Sequence, residues 1–109
     1  MSKSALVVIA DGTEEMEATI TIDVLRRAEI EVTVAGLGGP DLVTCSRGVV
    51  LRPDAALAEV SRTFDALVLP GGRGGAEAFA ESAVVGELLR RYEAEERLVA
   101  TICAAAIAL

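Results

Sequence analysis

The sequence predicts an α/β fold, a mostly parallel sheet with helices between its strands. Three observations carry that expectation. The apolar runs "ALVVIA" (Ala5–Ala10) and "ALVL" within "FDALVLPGG" are continuous rather than alternating. Strands buried on both faces of a parallel sheet read this way. Other segments repeat apolar residues about every four positions, the period of a helix. The two kinds of segment alternate along the chain, as in a sheet built from strand–helix–strand units.

The elements follow in order. Ala5–Ala10 is the first strand. In "DGTEEME", Asp11, Gly12 and Thr13 are turn and N-cap residues, and Glu14, Glu15 and Glu17 crowd a first helical turn. Carboxylates there meet the positive end of the helix dipole and usually stay solvated. "ATITIDVLRRAE" carries two signals. "TITI" alternates like a strand, but Met16, Ile20, Val24 and Ala28 recur every four residues, and Arg26 and Arg27 suit a helix C-terminus. Helix is the better reading, because a strand would leave the acidic start without a role. Ile30–Gly36 alternates and ends in glycine, a second strand. "LVTCS" and "GVVLRP" form a hairpin around a turn near Arg47 and Gly48, ended by Pro53. "AALAEVS" reads as a helical turn. "FDALVLPGG" is a buried strand closed by Pro70 and Gly71. "GAEAFAES" and "AVVGELLRRYEAEE" are helices, the second with Val84, Leu88 and Tyr92 on one stripe, and "RLVATI" is a last strand. No repeat, low-complexity tract or linker interrupts the series, so 109 residues fit one domain.

Composition narrows the function classes. Hydrophobic residues make up 52% of the 109, and only three are aromatic, so the core is built from Val, Leu, Ile and Ala. A net charge of −7 argues against nucleic acid, whose phosphates require clustered Lys and Arg, and against docking on an anionic membrane. The apolar runs fall well short of the ~20 residues that span a bilayer. The start "MSKSALVVIADG" lacks a cationic, apolar leader. A cytoplasmic chain with two reduced thiols, Cys45 and Cys103, is the expectation. There is no histidine, which removes the usual base for a cysteine nucleophile and the usual metal ligand. No metal and no cofactor are expected.

In sheets of this kind ligands bind beyond the carboxyl ends of the strands. Three segments meet there: Asp11–Glu17, Gly71–Gly75 and Cys103–Ala104. Cys103 sits between a strand and a helix-like run, the geometry of a nucleophile elbow. A thiol at a helix N-terminus feels the dipole, which favours thiolate, and the Ala104 N–H is placed to bind an oxyanion. A lone cysteine there also fits a small hydrophobe that ends a strand. The glycines of "LPGGRGG" permit close backbone approach and offer further N–H donors, or simply form a flexible turn. The run has neither the Gly-Lys-Ser/Thr of a phosphate loop nor the third glycine of a dinucleotide fingerprint. Glu17, one turn into its helix, is placed to face the strand edge, where a partly desolvated acid would donate a hydrogen bond to the sulfur.

Four stretches carry a resemblance to a known family: "SALVVIADGTEEMEATITIDVLRRAEIEVTVAGL", "CSRGVVLRPDAAL", "DALVLPGGRGGAEAFAES" and "ATICAA". Together they resemble the Parkinson disease protein 7 (protein deglycase) family of the ThiJ/PfpI superfamily, over essentially the whole chain. The resemblance implies a flavodoxin-like α/β/α sandwich and a homodimer. It implies that Cys103 is the nucleophile and redox-sensing thiol, that Glu17 is the acid that hydrogen-bonds it, and that Gly72 and Ala104 are the oxyanion donors. It places Met16, Cys45 and Arg47 near the dimer interface. It further implies cofactor-free chemistry on methylglyoxal and early glycation adducts, oxidative-stress sensing, a redox-dependent chaperone role, and cytoplasmic, nuclear and mitochondrial pools. The substrates would be small dicarbonyls or glycated proteins.

Departures from the family pattern are specific. Ala106 stands where the elbow helix usually has proline, Glu29 where a glycine caps the first helix, Arg73 beside the oxyanion loop, and Arg52 where some members carry a cysteine. Family chains run well past residue 109 and include a histidine that assists the cysteine, so the chain reads as the N-terminal part of a domain that ends after the nucleophile elbow. A non-enzymatic redox sensor or chaperone-like protein is the alternative reading. A glutamine-amidotransferase-like domain shares the elbow cysteine but requires a downstream His and Glu.

Overall fold

A computed structural model describes residues 3–109. The elements are β1 (Ser4–Ile9), α1 (Glu15–Arg27), β2 (Glu31–Gly36), β3 (Val43–Thr44), β4 (Val50–Leu51), β5 (Ala55–Ala56), β6 (Ala66–Leu69), α2 (Arg73–Glu81), α3 (Ala83–Ala94) and β7 (Leu98–Thr101). A 3₁₀ turn follows β5 at Leu57–Glu59, and another, Cys103–Ala108, follows β7.

Five strands form one parallel sheet in the order β5-β2-β1-β6-β7, and β3 and β4 pair antiparallel as the expected hairpin. β1 is central and buried along its whole length, which is why its sequence is unbroken apolar. Its side chains alternate between two cores. Leu6, Val8 and Ala10 face Phe64, Leu67 and Leu69 with Ala76 and Phe79 of α2 and Val85 and Tyr92 of α3. Ala5, Val7 and Ile9 face Val32, Val34, Cys45 and Ala18 of α1. Helices therefore cover both faces, giving the flavodoxin-like α/β/α sandwich.

One sequence expectation needs correction, and packing fixes which faces of two helices are buried. "AALAEVS" is not simply a helical turn. Asp54 accepts a hydrogen bond from the Val34 N–H (2.8 Å), which sets Ala55 and Ala56 alongside β2 before the 3₁₀ turn begins. In α1, the Met16–Ile20–Val24 stripe is exposed, at 66%, 58% and 56%, while Ala18, Ile22 and Leu25 pack on the sheet. In α3, Val84 is exposed, and Val85 and Tyr92 are the buried pair. Tyr92 fills the core and its hydroxyl accepts from the Phe64 N–H (2.9 Å).

Helix ends show the strain expected from Glu29. The Glu29 N–H donates to Arg26 O and the Ile30 N–H to Leu25 O, with Glu29 at φ +62°. The same pattern closes α3 at Glu96, φ +56°. Both are left-handed positions that glycine fills at least cost.

Candidate functional site

The site lies at the carboxyl end of the sheet, where the loops after β1, β6 and β7 meet. The loop after β1 is fixed from within. The Thr13 side chain is buried, and its Oγ1 accepts from the Ala10 N–H (3.0 Å). Glu14 caps α1 with its own side chain, and its backbone N–H donates to Gly71 O (2.9 Å). Glu17 completes the tie: its Oε1 accepts from the Gly71 N–H (2.7 Å). The N-cap and first turn of α1 thus hold both backbone polar groups of Gly71.

Glycine is required where the loops touch. A Cβ on Gly12 would stand 2.8 Å from Gly74 Cα. Gly72, at φ +94°, has the Gly12 carbonyl and the Glu14 N–H against the place a side chain would take. Backbone therefore packs on backbone between the β1–α1 and β6–α2 loops.

The turn after β7 presents Cys103. The Ile102 N–H donates to Leu69 O (3.1 Å), and the chain then reverses, with Cys103 at φ +51°. A non-glycine residue in the left-handed region marks a sharp turn held by its surroundings, as expected for an elbow. The following segment is a 3₁₀ turn rather than an α-helix. Cys103 is exposed and sits against Gly71, where a Cβ would be 3.2 Å from its own Cβ.

Glu17, Arg47, Gly72, Arg73, Cys103 and Ala104 line a single open cavity of about 490 Å³. Four residues read from the sequence as a catalytic group, Cys103, Glu17, Gly72 and Ala104, are therefore together. Among the described residues neither the Gly72 nor the Ala104 N–H donates a hydrogen bond, and both residues line the cavity. Glu17 is half-buried, and its hydrogen bond runs to Gly71, with none to Cys103. Met16 and Arg47 are exposed. Cys45 is buried in the α1 core, not on the surface; burial raises its thiol pKa above the ordinary value, and the Glu15, Glu14 and Asp11 carboxylates add to that. Among the described residues no group of His, Cys, Asp and Glu is arranged to hold a metal ion, and no helix is long and apolar enough to cross a membrane.

One acid departs from expectation. Glu15 is not a solvated dipole partner but is buried between α1 and the β3–β4 hairpin. It accepts from Ser46 Oγ (2.8 Å), the Arg47 N–H (2.8 Å) and the Val49 N–H (3.3 Å). Burial pushes its carboxyl pKa up. Hydrogen bonds from its own N–H, Ser46, Arg47 and Val49 outweigh that and hold it at about 2. Local sequence cannot separate Glu15 from its acidic neighbours, because the hairpin that covers it is more than thirty residues away.

A family model described as the DJ-1/PfpI family matches residues 3–109. The chain belongs to the DJ-1/PfpI family. Among relatives, Drosophila melanogaster protein dj-1beta is 59% identical over 106 residues, which are 96% of this chain and 57% of the relative. The crystal structure of Drosophila DJ-1beta superposes with a TM-score of 0.99 at 58% identity, over 100% of this chain and 59% of that one. The Danio rerio Parkinson disease protein 7 homolog is 48% identical, over 98% of this chain and 58% of its own length. The Caenorhabditis elegans glutathione-independent glyoxalase DJR-1.2 is 39% identical, over 94% of this chain and 55% of its own length. The chain thus spans a little more than half the length of these DJ-1/PfpI relatives.

Proposed function

We propose that the chain carries the thiol centre of a cofactor-free glyoxalase and protein deglycase acting on methylglyoxal and early glycation adducts. The observation that carries this reading is the single cavity shared by Cys103, Glu17 and the unpartnered N–H groups of Gly72 and Ala104. The naming of a family relative as a glutathione-independent glyoxalase supports the substrate class.

The chemistry follows from the parts. The Cys103 thiolate adds to the aldehyde carbon of methylglyoxal, forming a carbon–sulfur bond and an oxyanion. The Gly72 and Ala104 N–H groups stabilise the developing charge. The oxyanion takes up a proton to give the hemithioacetal; one proton then passes from the former aldehyde carbon to the ketone carbon and the hydroxyl proton to the ketone oxygen, with Glu17 as carrier, leaving a lactoyl thioester. Water cleaves the thioester, releasing lactate and the thiol. No redox partner is consumed. The same reading includes a homodimer with Met16, Cys45 and Arg47 near its interface, the exposed Met16–Ile20–Val24 face of α1 being the surface that would pair.

The exposure of Cys103 favours a second role for the same thiol, oxidative-stress sensing with a redox-dependent chaperone function. Two equivalents of peroxide would convert it to the sulfinic acid, releasing two waters. Lactate formation from methylglyoxal and peroxide oxidation followed by intact mass separate the roles. Lactate production lost in Cys103→Ser and reduced in Glu17→Ala is the expected result. Absence of lactate, with ready oxidation of Cys103, leaves the sensor reading alone.

A further inference from the structure

The site description leaves Glu15 without a part in the chemistry, although it is the buried acid of α1. Its geometry is unusual for structural filler. One carboxylate reaches three donors of the hairpin turn, Ser46 Oγ, the Arg47 N–H and the Val49 N–H. The Ser46 N–H adds a bond to Thr13 O (2.9 Å), and the Gly12 N–H donates to Thr44 O (2.9 Å). The hairpin is thereby fastened to the loop that leads into the helix carrying Glu17. Arg47, at the centre of these bonds, lines the Cys103 cavity, and its side chain forms no ion pair among the described residues. An arginine whose backbone is held and whose guanidinium is uncommitted is a poised charge.

We propose that Glu15 is a positioning residue of the Cys103 cavity: by fixing the Ser46–Val49 turn it holds the Arg47 guanidinium at the rim, where it favours electrophiles bearing negative charge. The proposal rests on the reading of Cys103 as the reactive thiol. Arg73 on the α2 side of the cavity supplies the internal comparison, because none of the Glu15 bonds reaches α2.

Alkylation reads the charge directly. In each reaction the Cys103 thiolate displaces iodide and forms a carbon–sulfur bond, with neutral iodoacetamide or anionic iodoacetate as reagent. The full chain is used, and labelling at Cys103 is resolved from Cys45 by peptide mass. Removing one rim charge by Arg47→Gln lowers the iodoacetate-to-iodoacetamide rate ratio by roughly threefold at low salt, and added salt erases the difference. Glu15→Ala lowers the ratio to the same level, and Glu15→Gln, which keeps one carbonyl acceptor, to an intermediate level. Glu15→Ala combined with Arg47→Gln falls no further, whereas Arg73→Gln adds its own decrease to Glu15→Ala. General loosening of the site would not yield that pattern. If Glu15→Ala fails to fold, Glu15→Gln decides by the same two combinations. A parent-like ratio in a folded Glu15 variant, or in Arg47→Gln, overturns the proposal. The absolute iodoacetamide rate is a separate readout: a Cys103 no faster than a free thiol counts against the reactive-thiol reading and leaves the ratio test intact.

Discussion

At the scale of single residues, chemistry and position separate cleanly. Cys103 and Glu17 could be brought to one edge from sequence, because the carboxyl ends of parallel strands converge and both residues follow such ends. The partner of Glu17 could not, since the Gly71 N–H that it binds is a backbone group with no sequence signature. Glu15 was legible only as one of three acids. Its folded-state pKa of about 2, against an ordinary 4.5, makes it a pH-dependent stabiliser. A carboxyl whose pKa is lowered on folding contributes stability above its unfolded value and loses it as pH falls through the folded value. Thermal stability should therefore decline as pH drops from 4.5 toward 2. Glu15→Gln should lower the melting temperature near pH 7, and the gap to the parent should close across that window. A gap that is constant with pH would show that the charge of Glu15 does not contribute.

At the scale of elements, periodicity identified helices better than it identified their faces. Met16, Ile20 and Val24 have helical spacing, yet the sheet takes Ala18, Ile22 and Leu25. Both stripes are apolar, and only tertiary packing chooses between them. The two-residue strand β5 escaped notice for a related reason, because the bond from Val34 to Asp54 that creates it crosses twenty residues. The helix end near Glu29 was legible from Arg26 and Arg27, which suit a C-terminus, and the missing cap glycine only from the family resemblance. Glu29 and Glu96 both occupy the left-handed region, which disfavours a residue with a Cβ by about 1 kcal/mol. Glu29→Gly and Glu96→Gly should each stabilise the fold by about that amount, less some loss from the more flexible unfolded chain. Chemical denaturation should show the two gains adding, as the residues lie in separate loops. Unchanged or lowered midpoints would mean that the surrounding bonds already relieve the strain.

At the scale of the whole molecule, the fold class was legible because continuous apolar strands and intervening helices admit few arrangements. The strand order β5-β2-β1-β6-β7 was not, since no periodicity records which strands become neighbours. That order leaves β7 at one edge, with Leu98 exposed on it and Ile107 and Leu109 exposed beyond it. The Met16–Ile20–Val24 face of α1 is a second, separate apolar surface. A self-complementary face closes a dimer and stops there; two such faces on one molecule link dimers into open chains. An uncovered edge strand is a site for such pairing. The 109-residue chain should therefore grow beyond a dimer as concentration rises, as measured by sedimentation velocity. Leu98→Lys should halt growth at the α1-paired dimer, because a charged edge opposes strand pairing. Ile20→Glu should leave only edge-paired dimers, and the two together should give monomers. A parent chain that stays a dimer at every concentration would mean that the β7 edge does not pair. Growth that persists in the double variant would mean that association runs through neither face.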